Sequence, residues 1–101
     1  MIRTVDLVIA GTSGGTFDAA ADALRHGRRV LVLLRSGDAR GFRRRLCRTA
    51  NVDCRQVTVM SGADVVCVDG VDGIEAVVIR HARTGRLLAV NASAFLSCDS
   101  R

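Results

Sequence analysis

The sequence contains no lysine, no proline, no tyrosine and no tryptophan, and only three phenylalanines among 101 residues. With so few flat rings to stack bases, it argues against a single-stranded nucleic-acid binder. Nearly half of the residues are apolar and none is proline, which argues against disorder. The length suits one small domain with a single core. Long apolar runs are also missing. Leu7–Ala10 and Val30–Leu34 are far too short to span a bilayer, so no membrane role is expected. Met1-Ile2-Arg3-Thr4 leads straight into a strand pattern without the features of a signal peptide, which points to the cytoplasm. No internal repeat, low-complexity tract or linker interrupts the chain.

Four cysteines are present, Cys47, Cys54, Cys67 and Cys98, and no two form a CxxC pair. That spacing supports neither a zinc knuckle nor a thioredoxin-type dithiol. A reducing compartment argues against disulfides. Cys67 lies inside the run DVVCVD and reads as a small buried hydrophobe. His26 and His81 have no partner pattern for catalysis or metal binding and read as structural. Ser13 lacks the elbow context of a nucleophile. The sequence therefore assigns no catalytic residue and no metal ligand.

The formal net charge is +5, and every basic residue is arginine. Arg40 to Arg55 holds six arginines against one aspartate. Arginine recognises phosphate through two parallel hydrogen bonds. A cluster of this kind serves a nucleotide phosphate, a nucleic acid or solubility alone. Arg43, Arg44, Arg45 and Arg48 read as a solvated helix face.

Val5–Ala10 reads as a fully buried strand. Phe17, Ala20, Ala21 and Leu24 then fall on one helical face, and Gly27 is placed to end that helix in a left-handed cap. Arg29 to Leu34 is a second buried strand, which completes a βαβ unit. A short helix is expected over Phe42 to Ala50, with Phe42, Leu46 and Ala50 inward. QVTVM and ADVVCVDG follow as extended pieces, with turn signals at Asp69-Gly70 and Asp72-Gly73. IEAVVIRHARTGRLLAVNASAF suggests a hairpin with Thr84-Gly85 at its tip, and Ala94–Ser97 returns to the sheet. The expected fold class is α/β, a minimal Rossmann-like βαβ half with an antiparallel strand or hairpin excursion, forming one nucleotide-binding-like domain over residues 1–101.

The chemistry centres on Gly11-Thr12-Ser13-Gly14-Gly15-Thr16, between the first strand and the first helix. The dinucleotide fingerprint GxGxxG uses one glycine for a tight turn, one for close approach of the pyrophosphate and one for helix–strand packing. Gly11 fits the first position, while Ser13 and Thr16 replace the second and third. A loop this rich in glycine and hydroxyls can still present helix N–H groups to a phosphate.

The first 50 residues resemble the NADPH-binding domain of thioredoxin reductases and related flavoprotein pyridine-nucleotide reductases. That family carries a segment of the form HRRxxFRA after its second strand. Here Leu34-Arg35-Ser36-Gly37-Asp38-Ala39-Arg40-Gly41 stands in that place. Arg35 matches the first arginine, Arg40 the last, and Ser36 occupies the position of the middle one. The resemblance implies that these residues hold the 2′-phosphate of NADPH. An NAD site asks for an acid at the end of the second strand, where this sequence has Leu34 and then Arg35. The C-terminal half continues the resemblance through GVDGIEAVVIRHARTGRLLAV, with Gly85 in the hairpin turn. Asp99 replaces a final glycine that approaches the cofactor in the family. Complete reductases also have an FAD domain and a redox dithiol, and neither is visible here. The FAD-binding domain of larger flavoprotein dehydrogenases is the second family resembled, although it expects an acid at Leu34.

The sequence thus points to a dinucleotide-binding module of an FAD/NAD(P)-dependent oxidoreductase, preferring NADPH and incomplete for catalysis on its own. Its expected partners are a dinucleotide, a flavoprotein subunit or domain, and a second copy in a homodimer. The alternatives are an FAD-binding fragment, or a degenerate Rossmann domain serving as an oligomerisation or interaction module.

Overall fold

A computed structural model describes residues 3–70 and 73–98. The elements are β1 (Arg3–Gly11), α1 (Ser13–Arg25), β2 (Val30–Leu34), α2 (Ala39–Ala50), a 3-10 turn (Cys54–Gln56), β3 (Val57–Ser61), β4 (Ala63–Asp69), β5 (Ala76–His81) and β6 (Leu87–Cys98). The fold is α/β, as its pattern predicts. β3, β2, β1 and β6 run parallel, whereas β6, β5 and β4 form an antiparallel meander; the hydrogen-bonded order is β3-β2-β1-β6-β5-β4.

That order cannot describe a flat sheet. Six strands laid side by side would separate β3 from β4 by roughly 24 Å, yet Gly62 alone joins them, and one linking residue spans at most about 7 Å. The sheet must therefore fold back on itself. The bend lies in β6: residues near its start pair with β5, and residues from Val90 onward pair with β1. The result has three layers, with helices on one side of the parallel strands and the meander on the other.

Gly62 is the pivot of this arrangement. Its N–H donates to Leu34 O at 2.9 Å, its carbonyl accepts from Ala82 N at 2.9 Å, and its φ of 71° lies in the left-handed region that glycine adopts without strain.

The layering explains why β1 and β2 are apolar at successive positions. Leu7, Ile9, Val30, Val32 and Leu34 face the helices, where they pack with Leu24, Phe42 and Leu46. Val8, Leu31 and Leu33 face the meander and pack with Val77, Ile79 and Val90. A strand covered on both faces needs no alternation. The sheet thus divides the interior into two clusters, where composition alone suggested one.

α1 ends as expected, with His26 as C-cap and Gly27 in the left-handed region at φ 76°. α2 begins at Ala39, a turn earlier than its apolar face indicates, so Arg40 and Gly41 are helical. Phe42, Leu46 and Ala50 are buried as predicted, and Cys47 joins them. Arg44, Arg45 and Arg48 are exposed, but Arg43 departs from the expected solvated face. Its Nε donates to Val57 O at 2.9 Å and its Nη2 to Cys54 O, tying α2 to the start of β3.

Cys67 corrects another expectation, because it is exposed. β4 carries a bulge: the register passes from Val65↔Ile79 to Cys67↔Val78, so Val66 is the extra residue. A one-residue slip moves the following side chains to the opposite face. Cys67 therefore shares the outer face of Val78 instead of the inner face of Ile79. The turn signal at Asp72 lies outside the described residues, as does Asp99.

Candidate functional site

β1 ends at Gly11, and Thr12 is the extended N-cap of α1. Its hydroxyl oxygen accepts from Gly15 N at 3.5 Å, while its carbonyl accepts from both Thr16 N, at 3.1 Å, and Thr16 Oγ1, at 2.9 Å. Thr16 is completely buried. Through these two bonds Thr16 fixes the shape of the turn.

The glycines divide the remaining work. A Cβ on Gly15 would lie 2.6 Å from the backbone carbonyl oxygen of Cys98, so α1 can approach the end of β6 only without a side chain there. The helix–strand packing function of the fingerprint therefore rests on Gly15, one residue before the position where the motif places it. A Cβ on Gly14 would meet nothing within 4 Å. Ser13 and Gly14 open the helix, whose first-turn N–H groups have no intrahelical acceptor, and the first turn carries no acid to repel an anion. The loop offers an open, positively polarised approach at Gly14 beside a closed contact at Gly15.

Two cavities lie beyond the carboxyl ends of the parallel strands, where open α/β sheets hold ligands. The first, of about 300 Å³, is lined by Gly11, Leu33, Arg35, Asp64, Phe95 and Ser97, among others. The second, of about 570 Å³, brings together Arg35, Ser36, Ser61, His81 and Arg83. Arg35 belongs to both. Its backbone N–H donates to Gly11 O at 3.3 Å, which holds the end of β2 beside the glycine loop. Ser61 Oγ donates to Gly37 O at 2.9 Å and closes the β2–α2 loop onto β3.

The structure therefore groups Arg35 and Ser36 as the sequence suggests but separates them from Arg40. Arg40 sits in the first turn of α2 and lines a different cavity with Arg43, Arg44 and Cys54. In its place the hairpin tip supplies Arg83 and His81. His81 Nδ1 is shielded from solvent and has no hydrogen-bond partner among the described residues. Sequence reasoning missed both residues, as well as Asp64. They reach the site only because the meander folds over the parallel strands at Gly62, which no local pattern announces. No group of three or more histidines, cysteines or acids among the described residues is placed to hold a metal ion. No helix among them is long and apolar enough to cross a membrane.

Compared with protein-family models and with curated protein sequences, the chain finds no match. Its fold, by contrast, recurs in solved structures. Thioredoxin reductase from Lactococcus lactis superposes with a TM-score of 0.75 at 16% identity, over 98% of this chain and 32% of that one. Bacillithiol disulfide reductase from Staphylococcus aureus gives 0.73 at 18% identity, over 97% and 29%. A geranylgeranyl bacteriochlorophyll reductase-like protein from Thermoplasma acidophilum gives 0.71 at 13% identity, over 99% and 40%. The fold is that of a Rossmann-type unit found in such oxidoreductases. This chain spans 29 to 40% of the length of these three structures.

Proposed function

We propose that the chain is a dinucleotide-binding module of the FAD/NAD(P)-dependent oxidoreductase type, with NADPH as its preferred ligand. The observation that carries this reading is the position of Arg35. It stands between the glycine loop and a cavity that also presents Ser36, His81 and Arg83. A pyrophosphate fits at the first turn of α1, over Gly14. An adenosine 2′-phosphate fits among Arg35, Ser36 and Arg83. β2 ends in Leu34 and leads to Arg35, so no carboxylate there opposes the phosphate.

Asp64 favours a second reading. It lines the same cavity as Gly11 and Arg35, where a carboxylate suits a ribose hydroxyl. An FAD-type or NAD-type adenosine would use it.

Calorimetric titration with NADPH, NADH and FAD separates these readings. A bidentate guanidinium–phosphate contact contributes roughly 1.5–3 kcal/mol, so NADPH should bind at least about tenfold more tightly than NADH. Arg35→Ala should remove that preference. Equal affinity for the two nicotinamide dinucleotides rejects the NADPH assignment, and no heat with any of the three ligands rejects the module reading. In that case the remaining role is an interaction domain. Beyond its ligand, the proposed partners are a flavoprotein subunit or domain, and a second copy of the chain.

A further inference from the structure

α2 carries charge that the dinucleotide site does not use. Its sequence, ARGFRRRLCRTA, holds five arginines and no acid. Phe42, Leu46, Cys47 and Ala50 are buried, and Arg43 is engaged by the carbonyls of Cys54 and Val57. Every exposed residue of the helix is an arginine or a threonine: Arg40, Arg44, Arg45, Arg48 and Thr49. This arrangement costs the helix stability. Arg40 and Arg44, and again Arg44 and Arg48, are like charges at i,i+4. Arg40 also sits in the first turn, at the positive end of the helix dipole. Neighbouring acids offset little of this. Asp38, the N-cap, forms no ion pair among the described residues, and Asp53 is held by Arg55 at 2.8 Å. None of the four exposed arginines forms an ion pair among the described residues. Arg25 extends the cationic surface, with its Nη2 donating to Thr49 O at 3.5 Å. Arg40 and Arg44 also wall an open cavity of about 310 Å³ with Arg43 and Cys54.

We propose that the exposed face of α2 binds the phosphate backbone of a nucleic-acid duplex without regard to sequence. Charge complementarity selects the partner. A duplex carries one negative charge per about 1.7 Å of its axis, and arginine meets phosphate through paired hydrogen bonds. Arg40, Arg44 and Arg48 follow one another at about 6 Å along the helix, so each reaches a separate phosphate. Composition decides among polyanions. Single strands are held by bases stacked on exposed aromatic rings. Here Phe17 and Phe42 pack edge to face in the helix-side core, and Phe95 packs on the meander side. A helix that lies on a membrane needs apolar side chains beside its cations, and the exposed face of α2 has none. α1 packs beside α2, with the Phe17 and Phe42 rings 5.5 Å apart, so α2 is flanked instead of projecting into a groove. Contact with phosphates alone carries no sequence information. Asp18 and Asp22, exposed on α1, repel phosphate and confine the footprint to α2. The four arginines line neither cavity at Arg35, so this surface stands whether or not a dinucleotide binds.

The test titrates the full chain into short fluorescent duplexes at low salt and follows anisotropy. Two DNA duplexes of unrelated sequence should bind within about twofold of each other, and the affinity should fall with salt at a logarithmic slope of about −3 to −4, as four phosphate contacts require. An RNA duplex measured alongside shows which helix the face prefers, and binding to either supports the proposal. Arg44→Ala/Arg48→Ala should weaken binding by about tenfold or more and make the slope shallower by about 2. Arg80→Ala/Arg86→Ala removes the same charge from exposed positions on the meander and should stay within about twofold of the unmodified protein. Circular dichroism of both variants checks that they are folded. Equal losses in the two variants would assign the binding to net charge and overturn the role of α2. Absence of binding to either duplex at low salt would overturn the proposal outright. Binding as tight or tighter to a single strand, to polyglutamate or to vesicles containing phosphatidylserine would overturn the choice of partner.

Discussion

Arg43 and Val57 are joined by a hydrogen bond of 2.9 Å from guanidinium Nε to backbone carbonyl, and the same guanidinium reaches Cys54 O. One side chain thereby satisfies two carbonyls at the start of β3 and fixes the return from α2. Arg43→Ala should destabilise the protein by about 1–3 kcal/mol, since it leaves part-buried acceptors unmet. Arg44→Ala, one residue on and exposed, should stay within about 0.5 kcal/mol. Chemical denaturation of the two variants checks the contrast. Equal midpoints would show that the clamp contributes nothing.

Neighbouring glycines in the loop should separate stability from binding. Gly15→Ala forces a methyl group onto the Cys98 carbonyl, a rigid backbone atom, and should cost about 1–3 kcal/mol. Gly14→Ala meets open space and should be neutral or gain up to about 1 kcal/mol. The methyl group of Gly14→Ala would nevertheless stand where a pyrophosphate approaches, so this variant should fold normally and lose dinucleotide affinity. Unchanged affinity in a well-folded Gly14→Ala protein would remove the loop from the site.

Alkaline pH should weaken the fold through Cys47. The thiol ionises near 9 in the unfolded chain and, raised by burial, at about 11 in the folded one. Its contribution is complete below pH 9. Between pH 9 and 11 the unfolded chain releases this proton while the folded chain keeps it, so stability falls as pH rises. The loss approaches roughly 1–3 kcal/mol. Cys47→Ala should flatten that part of the stability profile. A variant that tracks the parent protein from pH 9 to 11 would assign the alkaline loss to other groups.

Self-association is also expected. Val66 and Val68 on β4 are 50% and 41% exposed, and exposed apolar surface of this kind marks interfaces when it is contiguous. Asp64 and Asp69 flank the run and discourage strand-to-strand extension, which favours face-to-face packing. Light scattering at micromolar concentration should report a dimer that Val66→Asp/Val68→Asp converts to monomer. A monodisperse unmodified monomer would refute this expectation.

The βαβ core was legible because its signals are local. Leu24, Phe42 and Leu46 recur at helical spacing, the apolar run Val30–Leu34 needs no alternation, and Gly27 marks a helix end. The glycine loop was legible in position but not in its division of labour, since only the approach of Cys98 shows why residue 15 must be glycine. Cys67 was misread because a bulge of one residue inverts its face without changing the apolar pattern around it. His81, Arg83 and Asp64 could not be assigned to the site from sequence. Their proximity to Arg35 depends on the fold-back at Gly62, which is a tertiary event.

The pairing of β1 with β6 has a further consequence for how the chain acquires its structure. β1 is made first, yet one of its two neighbours is the last strand, with Gly11 set beside Cys98 and Arg3 beside Val90. Contacts between residues so far apart in sequence close slowly, because a long loop must be ordered before they form. During synthesis the β1–α1–β2–α2–β3 segment can assemble on the ribosome, but one edge of β1 stays open until β6 emerges. An open apolar strand edge is prone to pair with other chains for that interval. A stall or truncation before Leu87 would therefore yield a species prone to aggregate, even though most of the helix-side core has already been made.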